Sequence, residues 1–407
     1  MSARARGRLV RWVPTPLWTG HDDLAALVHD RWGALLARVN ADASERYEAG
    51  EPLPRWFAKA AADAGLTSFA LPRGAGGEGA GPRAWGRVLE EIGYLCEDDA
   101  VPYTVSMQAG VVTALLEADR STADRSEPAR QYVCPIVAGT SLAALAYSED
   151  ADPFALVTQL RSTRDGYRLT GHKTHVSGAA LADVFLTYAR DDNGDMVALI
   201  VERDDPGVEF GPTASLGHRT NGPRTMTFHH TPVPAARIVT ATDGLGHAQR
   251  FLNARRLVAA CGPLGRARAL LERCIHRLAT TTRYGRPLCE MPNVQGALGR
   301  MYIALQAAQA MLHRAFDRAE SGRSDPLFDP VITAAKHFVV EQVRYVADQA
   351  VRVLGGHSCY GDPRYGRALR DFTDLVVAAG AQDTLEVLLG TTSVSACHTV
   401  TGREAPS

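Results

Sequence analysis

Lysine is almost missing from this chain of 407 residues: only Lys59, Lys173 and Lys336 occur, so nearly every cation is an arginine. Together with the abundance of alanine, that bias points to a GC-rich coding sequence and lowers the weight of any single arginine as a signal. Excess charge is also lacking, since 44 basic side chains stand against 45 acidic ones for a formal net charge of -1. No global field draws such a surface toward nucleic acid or an anionic membrane. The seven cysteines, Cys96, Cys134, Cys261, Cys274, Cys289, Cys359 and Cys397, are scattered and form no CxxC pair. That excludes a disulfide scaffold and leads to the expectation of a reduced, cytoplasmic protein. No apolar run reaches 18 residues; the uncharged stretch from Tyr132 to Ser148 is broken by Pro135, Gly139 and Ser141, so no membrane span is expected. The opening MSARARGRLVRWVPTPLW carries Arg4, Arg6, Arg8 and Arg11 with no acid before Asp22, as a transit peptide would, but Pro14 and Pro16 break its helix.

What is present is ordinary globular material, 45% hydrophobic and 22% charged, long enough for two or three domains of about 150 residues. From Asp22 to Gly139 apolar residues recur at helical spacing, as in LAALVHDRWGALLARV and AWGRVLEEIGYL. Between Leu142 and Val239 the texture changes to short β-rich runs (YRLTG, DVFLTYAR, MVALIVER, TMTFHH) separated by DG, DNGD and DDPG turns. Long helical segments return from Ala248: RRLVAACGPLGRARALLERCIHRLATT, VQGALGRMYIALQAAQAMLHRAF and VITAAKHFVVEQVRYVADQAVRVL. The expected fold is α+β and mainly α: an N-terminal helical domain over 1–139, a small antiparallel β domain over 140–243, and a four-helix bundle over 244–407.

Six strings in order resemble one family, the acyl-CoA dehydrogenases. They are LAALAYSEDADP, DGYRLTGHKTHVSGAALADVFLTYAR, SLGHRTNGPRTMTFHHTPVPAARIV, RRLVAACGPLGRARALLE, RYGRPLCEMPNVQGAL and QAVRVLGGHSCYGDPRYGRALRDFTDLVVAAGAQDTLE. The resemblance implies an FAD site outside any Rossmann fold, with the flavin ring between the β domain and the bundle. It also implies a homodimer or homotetramer in which a neighbouring subunit reaches the adenosine end. In YSED the position of the family's flavin-contacting threonine is Ser148, next to Tyr147, and in THVSG its second such threonine is Ser177. The family's tryptophan beside the ring corresponds to His175. Serine for threonine keeps the hydrogen-bonding hydroxyl.

Departures from the family follow. Where its R-x-Q-F-G string begins, this chain has Thr281, leaving Arg283 two residues on to reach a pyrophosphate. The glutamine before its glycine pair is Arg352, ahead of Gly355 and Gly356, which adds charge suited to phosphate. Together these imply FAD that is held weakly, or a reduced flavin that is held loosely. The largest departure concerns the base. Desaturation of an acyl thioester needs a carboxylate to take the α-proton while hydride leaves for the flavin. The glutamate of the family's E-G-T-S string falls on Ala379 in Ala379-Gly380-Ala381-Gln382, and the alternative site on the E-R-L helix falls on Arg255. No catalytic residue is therefore assigned, although the Ala379 backbone N–H remains able to polarise a carbonyl. Asp374, Asp383, Glu386 and His357 read as helix-surface or capping groups.

Other motifs read as structure. Gly74-Ala75-Gly76-Gly77-Glu78-Gly79 spells G-x-G-x-x-G, but it follows Pro72 and joins helices rather than opening a βαβ unit. His172 and His175, and the strand pair His229 and His230, lack further ligands, so no metal is expected. Three functions remain open. The first is a flavin oxidoreductase on an acyl thioester, borne on CoA or an acyl carrier protein and passing electrons to an acceptor. A flavin monooxygenase fed by a partner flavin reductase is the second, and a non-redox binding or cyclising protein is the third.

Overall fold

The computed structural model describes residues 23–120, 126–150, 155–240 and 242–401, so the arginine-rich opening segment lies outside the described residues. Six helices come first: α1 (Asp23–Asn40), α2 (Ala43–Ala49), α3 (Trp56–Asp63), α4 (Pro82–Leu95), α5 (Ala100–Arg120) and α6 (Ser126–Val137). Their apolar stripes converge on one core through Trp32, Leu36, Phe57, Val88, Ile92 and Val112. The glycine-rich string is a connection from α3 to α4; a Cβ on Gly77 would stand 2.1 Å from the Leu71 carbonyl oxygen, so close chain packing accounts for it.

Eight strands follow: β1 (Ala143–Ala146), β2 (Gln159–Thr163), β3 (Gly166–Val176), β4 (Val184–Arg190), β5 (Met196–Glu202), β6 (Val208–Pro212), β7 (Arg224–Val233) and β8 (Ile238–Thr240). They form one sheet in the order β6-β7-β3-β2-β4-β5-β8, with β1 beside β4. Pairing is antiparallel as the hairpin turns predict, except at the centre, where β1 and β2 run parallel to β4. Parallel neighbours need a crossover, which no local turn dipeptide announces. One sheet face makes its own core with Phe185, Leu199 and Phe228, while the other, through Leu186, Tyr188 and Ile200, joins the helical core.

The C-terminal part holds α7 (Gly244–Ala259), α8 (Cys261–Thr280), the short hairpin β9 (Thr282–Arg283) and β10 (Arg286–Pro287), α9 (Pro292–Glu320), α10 (Pro330–Leu354), α11 (Pro363–Asp374) and α12 (Gln382–Thr401). The string RRLVAACGPLGRARALLE, uniform in periodicity, is two helices that break at Ala260. Pro263 then stands in the first turn of α8, where its missing N–H costs nothing. Immediately beyond it α8 crosses α4 at close range: a Cβ on Gly265 would lie 1.7 Å from the Glu90 carbonyl oxygen. That crossing joins the N- and C-terminal helices through a shared core.

Candidate functional site

The chain segments at the ends of β1 and β3 come together. β1 runs into Tyr147-Ser148-Glu149, and β3 runs into Ser177. A buried ion pair, Lys173 Nζ to Glu149 Oε1 at 2.6 Å, ties them, and the same ammonium donates to the Tyr147 carbonyl at 3.1 Å. Burial pushes the Lys173 ammonium down to about 8, against the pull of Glu149. For Glu149, burial pushes upward, but the Lys173 charge and hydrogen bonds from Lys173, Thr158 and Val157 overcome it and hold the carboxyl below its ordinary range. The Thr174 N–H donates to the Ser148 carbonyl at 2.9 Å. Held in this way, the Ser148 and His175 side chains are exposed, and His175 occupies the left-handed region at φ 51 beside a register shift between Lys173 and Val176. A non-glycine residue there costs about 1 to 2 kcal/mol, and such positions concentrate at functional sites.

Behind the strand ends, Tyr147 is buried edge-on to Tyr188 at 5.4 Å, and the Tyr188 hydroxyl lies 2.8 Å from His247 Nδ1. His247 Nε2 faces the Ala114 carbonyl at 3.1 Å, a partner that can only accept, so Nε2 carries the proton and Nδ1 accepts from tyrosine. Burial lowers the His247 pKa, in keeping with a neutral ring. This chain of contacts pins the sheet to α5 and α7.

The helical wall is cationic. Arg255 on α7 donates from Nη1 to Ser106 Oγ at 2.8 Å and stacks on Tyr103, 5.2 Å from the ring centroid. The Tyr103 phenol faces Ser177 and Arg255; burial raises its pKa, although Arg255 and Ser177 oppose the rise. Arg256 Nε donates to the Ala379 carbonyl at 3.3 Å, and Lys336 Nζ donates to the next carbonyl, Gly380, at 2.9 Å and to Gln382 Oε1 at 3.0 Å. Burial, reinforced by Arg256, drops the Lys336 ammonium to about 7. Ala379 is itself left-handed at φ 53, and its N–H meets no acceptor among the described residues.

The structure thus brings together Tyr147, Ser148, His175 and Ser177, links them through Tyr103 to Arg255, and sets Ala379 against Arg256. It places the remaining expected residues elsewhere. Arg283 is exposed on the β9–β10 hairpin, and Arg352, also exposed, is bound by Nε to Asp348 at 2.7 Å, one helical turn back. Gly355 and Gly356 are exposed at the end of α10. No hydrogen bond or ion pair joins these four to the strand-end group among the described residues. Of the acids near residue 379 in sequence, Glu386 pairs with His337 at 2.8 Å and Asp374 accepts from Ser215 at 3.0 Å. Tyr103, Ser106, Arg256 and Lys336 escaped the reading of the sequence. A signal existed for Lys336: in a chain that uses arginine almost everywhere, a lysine set in the apolar run VITAAKHFVV is an anomaly.

Family models of the acyl-CoA dehydrogenases match three consecutive stretches: the N-terminal domain over 27–122, the middle domain over 144–231 and the C-terminal domain over 242–390. A mitochondrial 2-methylacyl-CoA dehydrogenase of Solanum tuberosum is 28% identical over 313 residues, 74% of this chain and 73% of that protein. Among solved structures, the prolyl acyl carrier protein oxidase AnaB superposes with a TM-score of 0.83 at 18% identity, covering 92% of this chain and 99% of its own. PigA with FAD and proline gives 0.82 at 20% identity, covering 92% and 98%. With three family domains in order over a fold of helices, sheet and helices, the chain belongs to the acyl-CoA dehydrogenase family.

Proposed function

We propose that this protein is a flavin-dependent oxidoreductase acting on an acyl thioester carried by CoA or an acyl carrier protein, with its usual carboxylate base replaced. The carrying observation is the pairing of two strand-end hydroxyls with a cationic wall that has no carboxylate at either expected base position, Ala379 or Arg255. The residues present fit FAD at the ring end: Ser148 and His175 are both exposed, their backbones held by the Thr174–Ser148 hydrogen bond, and Ser177 stands beside Tyr103. Bound there, FAD would supply two-electron acceptance from carbon or, when reduced, reaction with oxygen. Ser148 and Ser177 would hydrogen-bond its edge, His175 would lie against the ring, and the Lys173–Glu149 pair would keep the loop in place. Arg283, Arg352, Gly355 and Gly356 are assigned to the diphosphate and adenosine of a second copy's cofactor, in keeping with their exposure.

Toward the thioester, the unbonded Ala379 N–H is a donor for the carbonyl oxygen, and Arg256 and Lys336 fix that turn through the two following carbonyls. Polarisation of the thioester is retained; proton removal at residue 379 is not, since a methyl group accepts nothing. That loss favours one second reading, oxygenation of the same substrate class by reduced flavin from a partner reductase, which needs no carboxylate base. Reconstitution with FAD followed by anaerobic mixing with butyryl-CoA separates them. Flavin bleaching supports dehydrogenation, and reduction only by NAD(P)H with a reductase supports oxygenation. Failure to bind FAD defeats both.

A further inference from the structure

Six arginines are buried among the described residues: Arg46, Arg255, Arg256, Arg266, Arg268 and Arg367. Four have a carboxylate of this chain against them: Arg46 meets Asp98 at 2.7 Å, Arg266 meets Asp371 at 2.6 Å, Arg268 meets Glu90 at 2.6 Å and Arg367 meets Glu97 at 3.2 Å. Of the two buried lysines, Lys173 has Glu149. The three buried cations with no carboxylate within 4 Å among the described residues are Arg255, Arg256 and Lys336. They are neighbours: Arg255 and Arg256 are consecutive on α7, and Arg256 and Lys336 hold successive carbonyls of one turn. Glu341 pulls on Lys336 electrostatically but makes no ion pair with it, accepting instead from Gln382 at 3.3 Å.

Leaving a charge buried without a counter-ion is costly, and buried charges are ordinarily paired. A lysine can escape by losing its proton, the direction in which burial pushes Lys336. A guanidinium cannot. Arg256 and Lys336 are occupied with the Ala379–Gly380 turn. Among the described residues Arg255, 7% exposed, has only a neutral hydroxyl and an aromatic face, and those leave most of its planar donor fork unused.

We infer that Arg255, backed by Tyr103 and Ser106, is a specificity residue that receives a carboxylate borne on the acyl chain of the thioester. The inference rests on the thioester reading above and narrows it to an acyl group that ends in, or branches to, an acid. The fork geometry selects a planar oxyanion, and the cluster of cations beyond it deepens the preference.

The test is calorimetric titration of the FAD-reconstituted protein with glutaryl-CoA and valeryl-CoA, matched in carbon count, and separately with free glutarate and valerate, for wild type, Arg255→Gln and Arg255→Lys. Melting curves establish that the variants fold. A charge-assisted pair predicts that wild type binds glutaryl-CoA roughly 10- to 100-fold more tightly than valeryl-CoA. Arg255→Gln should abolish that ratio, and Arg255→Lys should restore part of it, with charge but no fork. Equal affinity for the two thioesters overturns the inference and leaves the thioester reading standing. A preference that survives in Arg255→Gln overturns the assignment to this residue. If neither thioester binds but glutarate does, and Arg255→Gln loses it, the anion site stands and the thioester reading falls. If none of the four binds, both fall.

Discussion

Replacing Ala379 with glutamate tests the proposed chemistry most directly. Residue 379 is already left-handed at φ 53, so a larger L side chain adds no new backbone penalty there. Its carbonyl lies 3.3 Å from Arg256 Nε, and Lys336 sits on the following carbonyl, so the new carboxylate would enter a cationic wall and ionise readily. A positioned general base contributes about 10²- to 10⁴-fold, roughly 3 to 5 kcal/mol at 1.36 kcal/mol per tenfold. A carboxylate stabilised by cations is a weaker base, so the gain should fall near the low end, about 10²-fold. The assay is anaerobic stopped-flow absorbance of the bound flavin mixed with saturating butyryl-CoA. Ala379→Glu should bleach about 10²-fold faster than the wild type, whose own bleaching should be slow. Rapid bleaching of the wild type would refute the reasoning, because some other group would then be taking the α-proton.

Other expectations follow from the same geometry. Ser148→Ala and Ser177→Ala should each weaken FAD binding by roughly 2- to 10-fold, the worth of one neutral hydrogen bond, measured by flavin fluorescence titration; unchanged affinity for both would move the ring elsewhere. Lys336, lowered from 10.5 to about 7 in the folded state, stays protonated longer in the unfolded chain, so its contribution makes stability rise as pH increases between those values. Lys336→Met should therefore be most stabilising relative to wild type below pH 7 and lose that advantage toward pH 10, as followed by urea unfolding; a pH-independent difference would contradict the burial argument. Ile303, Val387 and Val394, exposed at 67%, 67% and 56%, leave apolar surface on the C-terminal helices. Sedimentation at micromolar concentration should show a dimer or tetramer, shifted toward monomer by Ile303→Asp with Val387→Asp.

Element type was legible in the sequence because periodicity is local: DVFLTYAR and AWGRVLEEIGYL carry their own faces, and β4 and α4 formed where those strings lie. The family strings likewise led to Ser148, His175 and Ser177 as one group, and the chain ends that carry Ser148 and His175 are joined by the Thr174–Ser148 hydrogen bond. The parallel pairing of β1 and β2 with β4 was not legible, because it depends on crossovers rather than turns. Nor was the break at Ala260, where one uninterrupted apolar pattern serves two helices that pack on different neighbours.

Charge pairing was the furthest from view. In a sequence crowded with arginine, Arg46 with Asp98 and Arg268 with Glu90 look no different from Arg255, since the partners lie 52 and 178 residues away. Local periodicity determined that the chain would run helix, sheet and helix, six strings in order carried the resemblance to one family, and positions 255 and 379 hold no carboxylate. Only the packing of α5, α7, α10 and the Ala379–Gly380 turn decided which buried cations keep a counter-ion, because Coulomb energy and desolvation depend on distance in space and not along the chain.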